Sequence, residues 1–140
     1  MAEAAIVRVL RENGDLSISL VGDEGAEIVG HIAFSPVAIG GKHDDWFGLG
    51  PVSVEPARQK RGIGRALIET GLSLLRERGA QGCALIGSPD LYRRFGFISD
   101  GQLTYGTLEP KYVQWIVLGG RPPVGELRFA PAFSLDLPNA

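Results

Sequence analysis

With 140 residues, 44% of them apolar, the chain has material for one globular domain with a core, and its net charge of −2 provides no global attraction to nucleic acid or to an acidic membrane. A single cysteine excludes an internal disulfide and a cysteine-based zinc site, and two histidines without a carboxylate at ligand spacing predict no metal. No apolar run approaches the ~18 residues of a membrane-spanning helix, and the N-terminus lacks a signal-peptide pattern, so a cytoplasmic protein is expected.

In chain order, residues 3–12 read as a helix ended by Asn13-Gly14. Residues 16–21 alternate as a strand, 22–25 form a turn, and 27–39 form the returning strand of a hairpin. A polar loop follows at 40–45, then a strand at 46–54 that stops at Pro56. Residues 62–78 form the best helix, with Ile63, Leu67, Gly71, Leu74 and Leu75 on one face and Gly79 closing it. Residues 82–86 form a short buried strand. Pro89 opens a short helix running to Phe95 and ended by Gly96. Strands at 113–118 and 125–129 complete the set, and the tail from about 134 is expected to be loosely held. Strands and helices alternate only in the middle, so the expected class is α/β, one domain over 1–140, with a mixed, mostly antiparallel sheet flanked by helices.

The most informative stretch is 49–65, an apolar strand, a basic glycine-bearing turn and the start of an amphipathic helix. Glycines at 62 and 64 remove Cβ atoms where backbone could approach a ligand closely. The free N–H groups and positive dipole end of the helix seat an anion, and Lys60, Arg61 and Arg65 add charge nearby. A dinucleotide fingerprint is excluded by Leu67 where a third small residue is needed. A Walker A loop is excluded because Gly41-Lys42 is followed by His43. A nucleic-acid surface is disfavoured, since the basic cluster is short and lacks interleaved aromatics.

What fits is Gln59-x-x-Gly62-x-Gly64 directly after a strand and opening a helix. It resembles the Gln/Arg-x-x-Gly-x-Gly/Ala signature with which the GNAT N-acetyltransferase superfamily cradles the coenzyme A pyrophosphate. Downstream, Asp90-Leu91-Tyr92-Arg93-Arg94-Phe95-Gly96-Phe97 resembles the family's Leu-Tyr-x-x-x-Gly-Phe element, with a helix and a short apolar strand between, in the order the family requires. Val29-Gly30-His31-Ile32-Ala33-Phe34-Ser35-Pro36 and Leu49-Gly50-Pro51 are similar to strands of a small acetyltransferase subgroup, over about residues 3–133. The resemblance implies the GNAT fold and an N-acyltransferase moving acetyl from acetyl-CoA to a primary amine in a ternary complex. It also implies a domain lacking the family's usual first strand and helix. The sheet edge left uncovered would favour a homodimer.

The resemblance assigns Gln59, Lys60, Arg61, Gly62, Ile63, Gly64 and Arg65 to the pyrophosphate. It assigns the backbone of Val52, Ser53 and Val54 to the pantetheine arm as an added strand, with one N–H as oxyanion donor. Tyr92 is the candidate general acid that protonates the leaving thiolate; its plain alternative is a core aromatic with an exposed hydroxyl. For the base, Glu55, His31 and ordered water stay open, and His43, Asp44 and Asp45 sit in the polar loop near the presumed acceptor side. Cys83 lies in an apolar strand, where a lone cysteine is an inert small hydrophobe rather than an acyl carrier. Trp46 and Trp115 read as core or interface aromatics, with Trp115 able to wall an acceptor pocket. Residues 40–45 and 103–124 are expected to shape that pocket, with no code naming the amine. The reading from another class is a non-catalytic acyl-CoA or nucleotide-binding module, which would bind the donor without releasing thiol.

Overall fold

A computed structural model describes residues 6–12, 18–25, 27–55 and 62–129. They fall into two compact units, one of residues 1–34 with 49–74 and one of 35–48 with 75–140. Two long strands and one helix pass through both.

The first unit contains β1 (Ile6–Glu12), β2 (Ile18–Glu24), the first part of β3 (Glu27–Ile39), the end of β4 (Lys42–Val54) and most of α1 (Ile63–Glu77). β1, β2 and β3 are successive antiparallel neighbours, with Val9 opposite Leu20, Leu20 opposite Ile32 and Ile18 opposite Phe34. Every second residue therefore points to one face, and Ile18, Leu20, Ile32 and Phe34 are buried there. Helix α1 buries Ile63, Leu67, Ile68, Gly71 and Leu72. It lies so close to β3 that a Cβ on Gly71 would stand 2.1 Å from Phe34 Cε1, and one on Gly30 would stand 3.0 Å from Ile63 Cγ2.

Three expectations are corrected here. The helix predicted over 3–12 is the strand β1 across its described part, Ile6–Glu12. Ile6, Val7 and Val9 are β-branched, and pairing with β2 satisfies their backbone groups where a lone ten-residue helix would be marginal. An Arg8–Asp23 ion pair bridges the two strands. The turn predicted at 22–25 is displaced, because β2 runs on to Glu24 through a register shift at Gly22/Asp23, and Gly25 (φ +66°) begins the reversal. The polar loop predicted at 40–45 is only a two-residue turn. Gly40 (φ +61°) and Gly41 (φ +81°) supply the paired left-handed conformations of a tight hairpin, and β4 begins at Lys42.

The second unit holds the rest of β3 and β4, then β5 (Gly82–Ile86), α2 (Pro89–Tyr92), β6 (Leu103–Thr104), β7 (Val113–Val117) and β8 (Gly125–Phe129). β4 and β5 are parallel from Trp46–Gly82 to Gly48–Ala84, while β5–β7 and β3–β8 are antiparallel. The mixed, mostly antiparallel sheet thus matches expectation. The parallel pair follows from the α1 crossover between β4 and β5. Helix α1 ends as foreseen at Gly79 (φ +79°), whose N–H donates to Arg76 O at 3.1 Å while Ala80 N–H reaches Leu75 O at 3.0 Å. The core of this unit joins Val37, Trp46, Ala84, Leu103, Val113, Trp115 and Leu127. Among the described residues no helix is long and apolar enough to cross a membrane.

Candidate functional site

The candidate anion seat lies at the end of β4 and the head of α1. Gln59, Lys60 and Arg61 lie outside the described residues. Gly62 has φ +85°, where a side chain is strained, so the turn into the helix requires glycine. The first ladder bond is Ala66 N–H to Gly62 O at 3.0 Å, so the N–H groups of Ile63, Gly64 and Arg65 have no acceptor within the helix. Ile63 is buried and anchors the turn. At Gly64 an added Cβ would meet, among the described residues, only Val54 Cγ2, at an ordinary 3.6 Å. Packing among the described residues does not demand this glycine. Arg65 is exposed and pairs with Glu69 at 3.2 Å, a surface pair worth ~0.3–0.5 kcal/mol that a stronger anion would displace. On β4, Ser53 is exposed and Val52 and Val54 are half-buried, and Glu55 N–H donates to Val29 O at 2.8 Å.

Tyr92 closes α2 in the second unit and is only 8% exposed. Its ring meets Phe97 edge-on at 6.1 Å and rests on Gly87, where a Cβ would stand 2.7 Å from Tyr92 Cε2. The hydroxyl has no hydrogen-bond partner among the described residues and is not sealed from solvent. Burial raises its pKa above the ordinary tyrosine value, so it stays protonated. Gly87 is fixed from both sides. Its N–H donates to Tyr112 O at 3.0 Å, and Gln114 Nε2 donates to its carbonyl at 2.8 Å. Sequence reasoning missed Gly87 and Gln114. The available signal was a glutamine inside the apolar run 113–118, since a buried polar residue needs a specific partner.

Two cavities among the described residues of the second unit bear on the acceptor. One, of about 500 Å³, is lined by residues 105–109 and Tyr112, with Tyr105 and Leu108 exposed. The other, of about 590 Å³, lies where β4 begins, between residues 42–46 and 121–124. Residues of both segments expected to shape the acceptor pocket, 42–45 and 121–124, line the larger cavity, and residues of the second segment alone line the smaller one. Trp115 packs with Trp46 in the core. The wall of the smaller cavity is pinned by Glu126, whose carboxylate accepts from Gly106 N–H at 2.6 Å and Thr104 Oγ1 at 2.7 Å. The Gly106 bond first, then Thr104 and the Arg128 charge, lower the Glu126 pKa, opposed by a little desolvation. A lowered pKa means that the clamp is whole above the ordinary glutamate range and is lost as pH falls through the folded-state value. Amide spectra recorded from pH 6 to pH 2.5 should show Gly106 titrating with Glu126, and Glu126→Gln should abolish that titration.

His31 is half-buried on β3, two residues from the Val29 carbonyl that holds Glu55 N–H, while Glu55 is exposed. His43, Asp44 and Asp45 line the larger cavity at the start of β4. Cys83 is fully buried, and desolvation raises its thiol pKa far above the ordinary value. An aromatic disulfide reagent should leave native Cys83 unmodified for hours and react within minutes once guanidinium unfolds the chain. Among the described residues no group of His, Cys, Asp or Glu could hold a metal.

A parallel β4–α1–β5 crossover set among antiparallel strands, with a glycine-bearing turn at the head of α1, defines an acetyltransferase domain. The family model described as Acetyltransferase (GNAT) domain matches residues 15–99, and the chain belongs to this family. It is 40% identical over 97 residues to an uncharacterized N-acetyltransferase, YhbS, of Escherichia coli, a match that covers 69% of the chain and 58% of that protein. The chain thus spans somewhat over half of that relative. A crystal structure of a GNAT family acetyltransferase from Brucella melitensis with acetyl-CoA is similar at 47% identity and TM-score 0.71, over 83% of this chain and 68% of that one. E. coli YhbS in complex with CoA shares the fold at TM-score 0.84 and 24% identity, over 96% of this chain and 94% of that one.

Proposed function

We propose that the chain is an acyl-CoA-dependent N-acyltransferase that transfers acetyl from acetyl-CoA to a primary amine by direct attack in a ternary complex. The observation that carries this is the head of α1. Three N–H groups without helical acceptors there follow a glycine turn that packing among the described residues only half explains. The similar Brucella protein was crystallised with acetyl-CoA. In this reading residues 59–65 hold the pyrophosphate and the backbone of 52–54 aligns the thioester and steadies its developing oxyanion. The amine nitrogen bonds to the acetyl carbon, the carbon–sulfur bond breaks, and Tyr92 gives its proton to the departing thiolate. The amine's proton has His31, Glu55 or ordered water to go to, and pH–rate profiles of His31→Gln and Glu55→Gln separate these routes.

The acceptor is assigned to the smaller cavity, because Tyr112 in its wall and Tyr92 both adjoin Gly87. A homodimer through the outer edge of β1, where Ile6 and Val9 are exposed, belongs to the same proposal and is tested by sedimentation.

The experiment is calorimetry with acetyl-CoA, CoA and ATP, followed by thiol release over an amine library. Saturable CoA binding that is lost when Gly62 and Gly64 are both made bulky, with thiol release on adding an amine, supports the enzyme. Binding without release on any amine leaves a donor-binding module. No response to either CoA species by folded protein removes the proposal.

A further inference from the structure

We infer that the larger cavity, at the start of β4, is a second ligand site for a small zwitterion of the amino-acid or dipeptide type, separate from the acyl-transfer residues. It has a volume of about 590 Å³, within the usual range for small-molecule sites, and lies wholly in the second unit. Its charged wall carries Lys42 and Arg121 against Asp44 and Asp45. Among the described residues, none of these four side chains makes an ion pair or hydrogen bond. Two cations and two anions gathered round one space without pairing are poised for an outside partner that carries both charges.

The alternatives fit less well. A polyanion such as CoA would meet two carboxylates, and a divalent cation would find no ligand cluster there. A zwitterion places its carboxylate on Lys42 and Arg121 and its ammonium on Asp44 and Asp45. Its side chain rests on Trp46, whose indole forms an apolar floor continuous with the core.

The walls are also held in advance. Gln81 N–H donates to Asp45 O at 2.8 Å, and Gln81 O accepts from Leu118, Gly119 and Gly120 at 2.9, 3.1 and 3.1 Å. One residue thus ties the strand bearing the two aspartates to the segment that leads to Arg121. Asp45 itself sits at φ +62°, where no other described non-glycine residue has a positive φ. Such local strain persists where the surroundings over-determine it, and it clusters at ligand sites. A site fixed before binding loses less free energy to ordering.

The test is calorimetric titration of the whole chain with each of the twenty free amino acids and with alanyl-alanine. At least one should bind saturably at one site per chain without being acetylated when acetyl-CoA is present. The pair Lys42→Gln with Arg121→Gln, and separately Asp44→Asn with Asp45→Asn, should each weaken that binding by roughly tenfold or more. Asparagine tolerates the left-handed backbone at 45, so the second pair preserves the fold, which an unchanged melting temperature verifies. Absence of saturable binding by every probe would overturn the inference. So would binding indifferent to both charge pairs, or acetylation of the bound amino acid, which would make the cavity the acceptor site instead.

Discussion

Replacing Tyr92 by phenylalanine is expected to lower kcat roughly 10²- to 10⁴-fold, the usual contribution of a positioned general acid, while the Kd for acetyl-CoA is unchanged. The substitution is nearly isosteric. The ring keeps its edge contact with Phe97 and its seat on Gly87, and the lost hydroxyl has no partner to orphan among the described residues. A fall in kcat at constant Kd therefore reports chemistry and not packing. The raised pKa sets the pH dependence. A neutral phenol is the form the site favours, so Tyr92 keeps its proton up to and beyond the ordinary value of about 10. No alkaline fall in kcat should be assigned to it below that value. The sign for stability is the same: the contribution is complete below the unfolded-state pKa and is lost as pH rises through the folded one. Tyr92→Phe should thus flatten part of the alkaline loss of stability. Gly87→Ala should act through the same ring, since its Cβ would stand 2.7 Å from Cε2 and must push the phenol aside. A Tyr92→Phe enzyme with wild-type kcat would remove the general-acid role and leave Tyr92 a core aromatic.

The elements that sequence made legible are those in which local pattern and tertiary use agree. Helix α1 was visible because its apolar residues recur at helical spacing and a glycine stops it, and both features are what packing on β3 then uses. β3 and β8 were likewise read to their ends, Glu27–Ile39 and Gly125–Phe129. β1 was misread because Ile6, Val7 and Val9 suit a helix face or a strand equally over so short a run, and only the edge of β2 decides between them. The start of β4 was misread for the opposite reason. Lys42 to Asp45 are polar enough for a loop, yet a tight glycine turn and pairing at the sheet keep them within β4, with Asp45 alone of the four at a left-handed φ of +62°. Polarity there reflects a cavity, not a loop. In the candidate site, the turn at 62–65 stood out by its glycine spacing and Tyr92 by resemblance to a family element. Gly87, Gln114 and Glu126 did not, because each acts on a residue far away in the chain.

Gly71→Ala is expected to destabilise the protein even though alanine is the better helix former by about 1 kcal/mol. The new methyl would stand 2.1 and 2.2 Å from Phe34 Cε1 and Cζ, far inside any real contact. Phe34 is fully buried. Either the helix lifts from β3 or the ring leaves its rotamer, and overpacking of this kind costs about 1–3 kcal/mol, sometimes more. The steric cost exceeds the propensity gain, and a fall in melting temperature of about 5 °C or more should follow. The remedy identifies the cause. Phe34→Leu alone should also destabilise, by leaving a cavity, yet in the double variant each change relieves the other, and a coupling of about 0.5–3 kcal/mol should separate the pair from the sum of its parts. The same helix carries Gly62, Ile63, Gly64 and Arg65 at its head. Lifting it should weaken acetyl-CoA binding at temperatures where Gly71→Ala is still folded, and the double variant should recover that binding together with the stability. Recovery of stability without recovery of binding would mean that the seat of α1 on β3 holds the fold but does not set the position of the anion site.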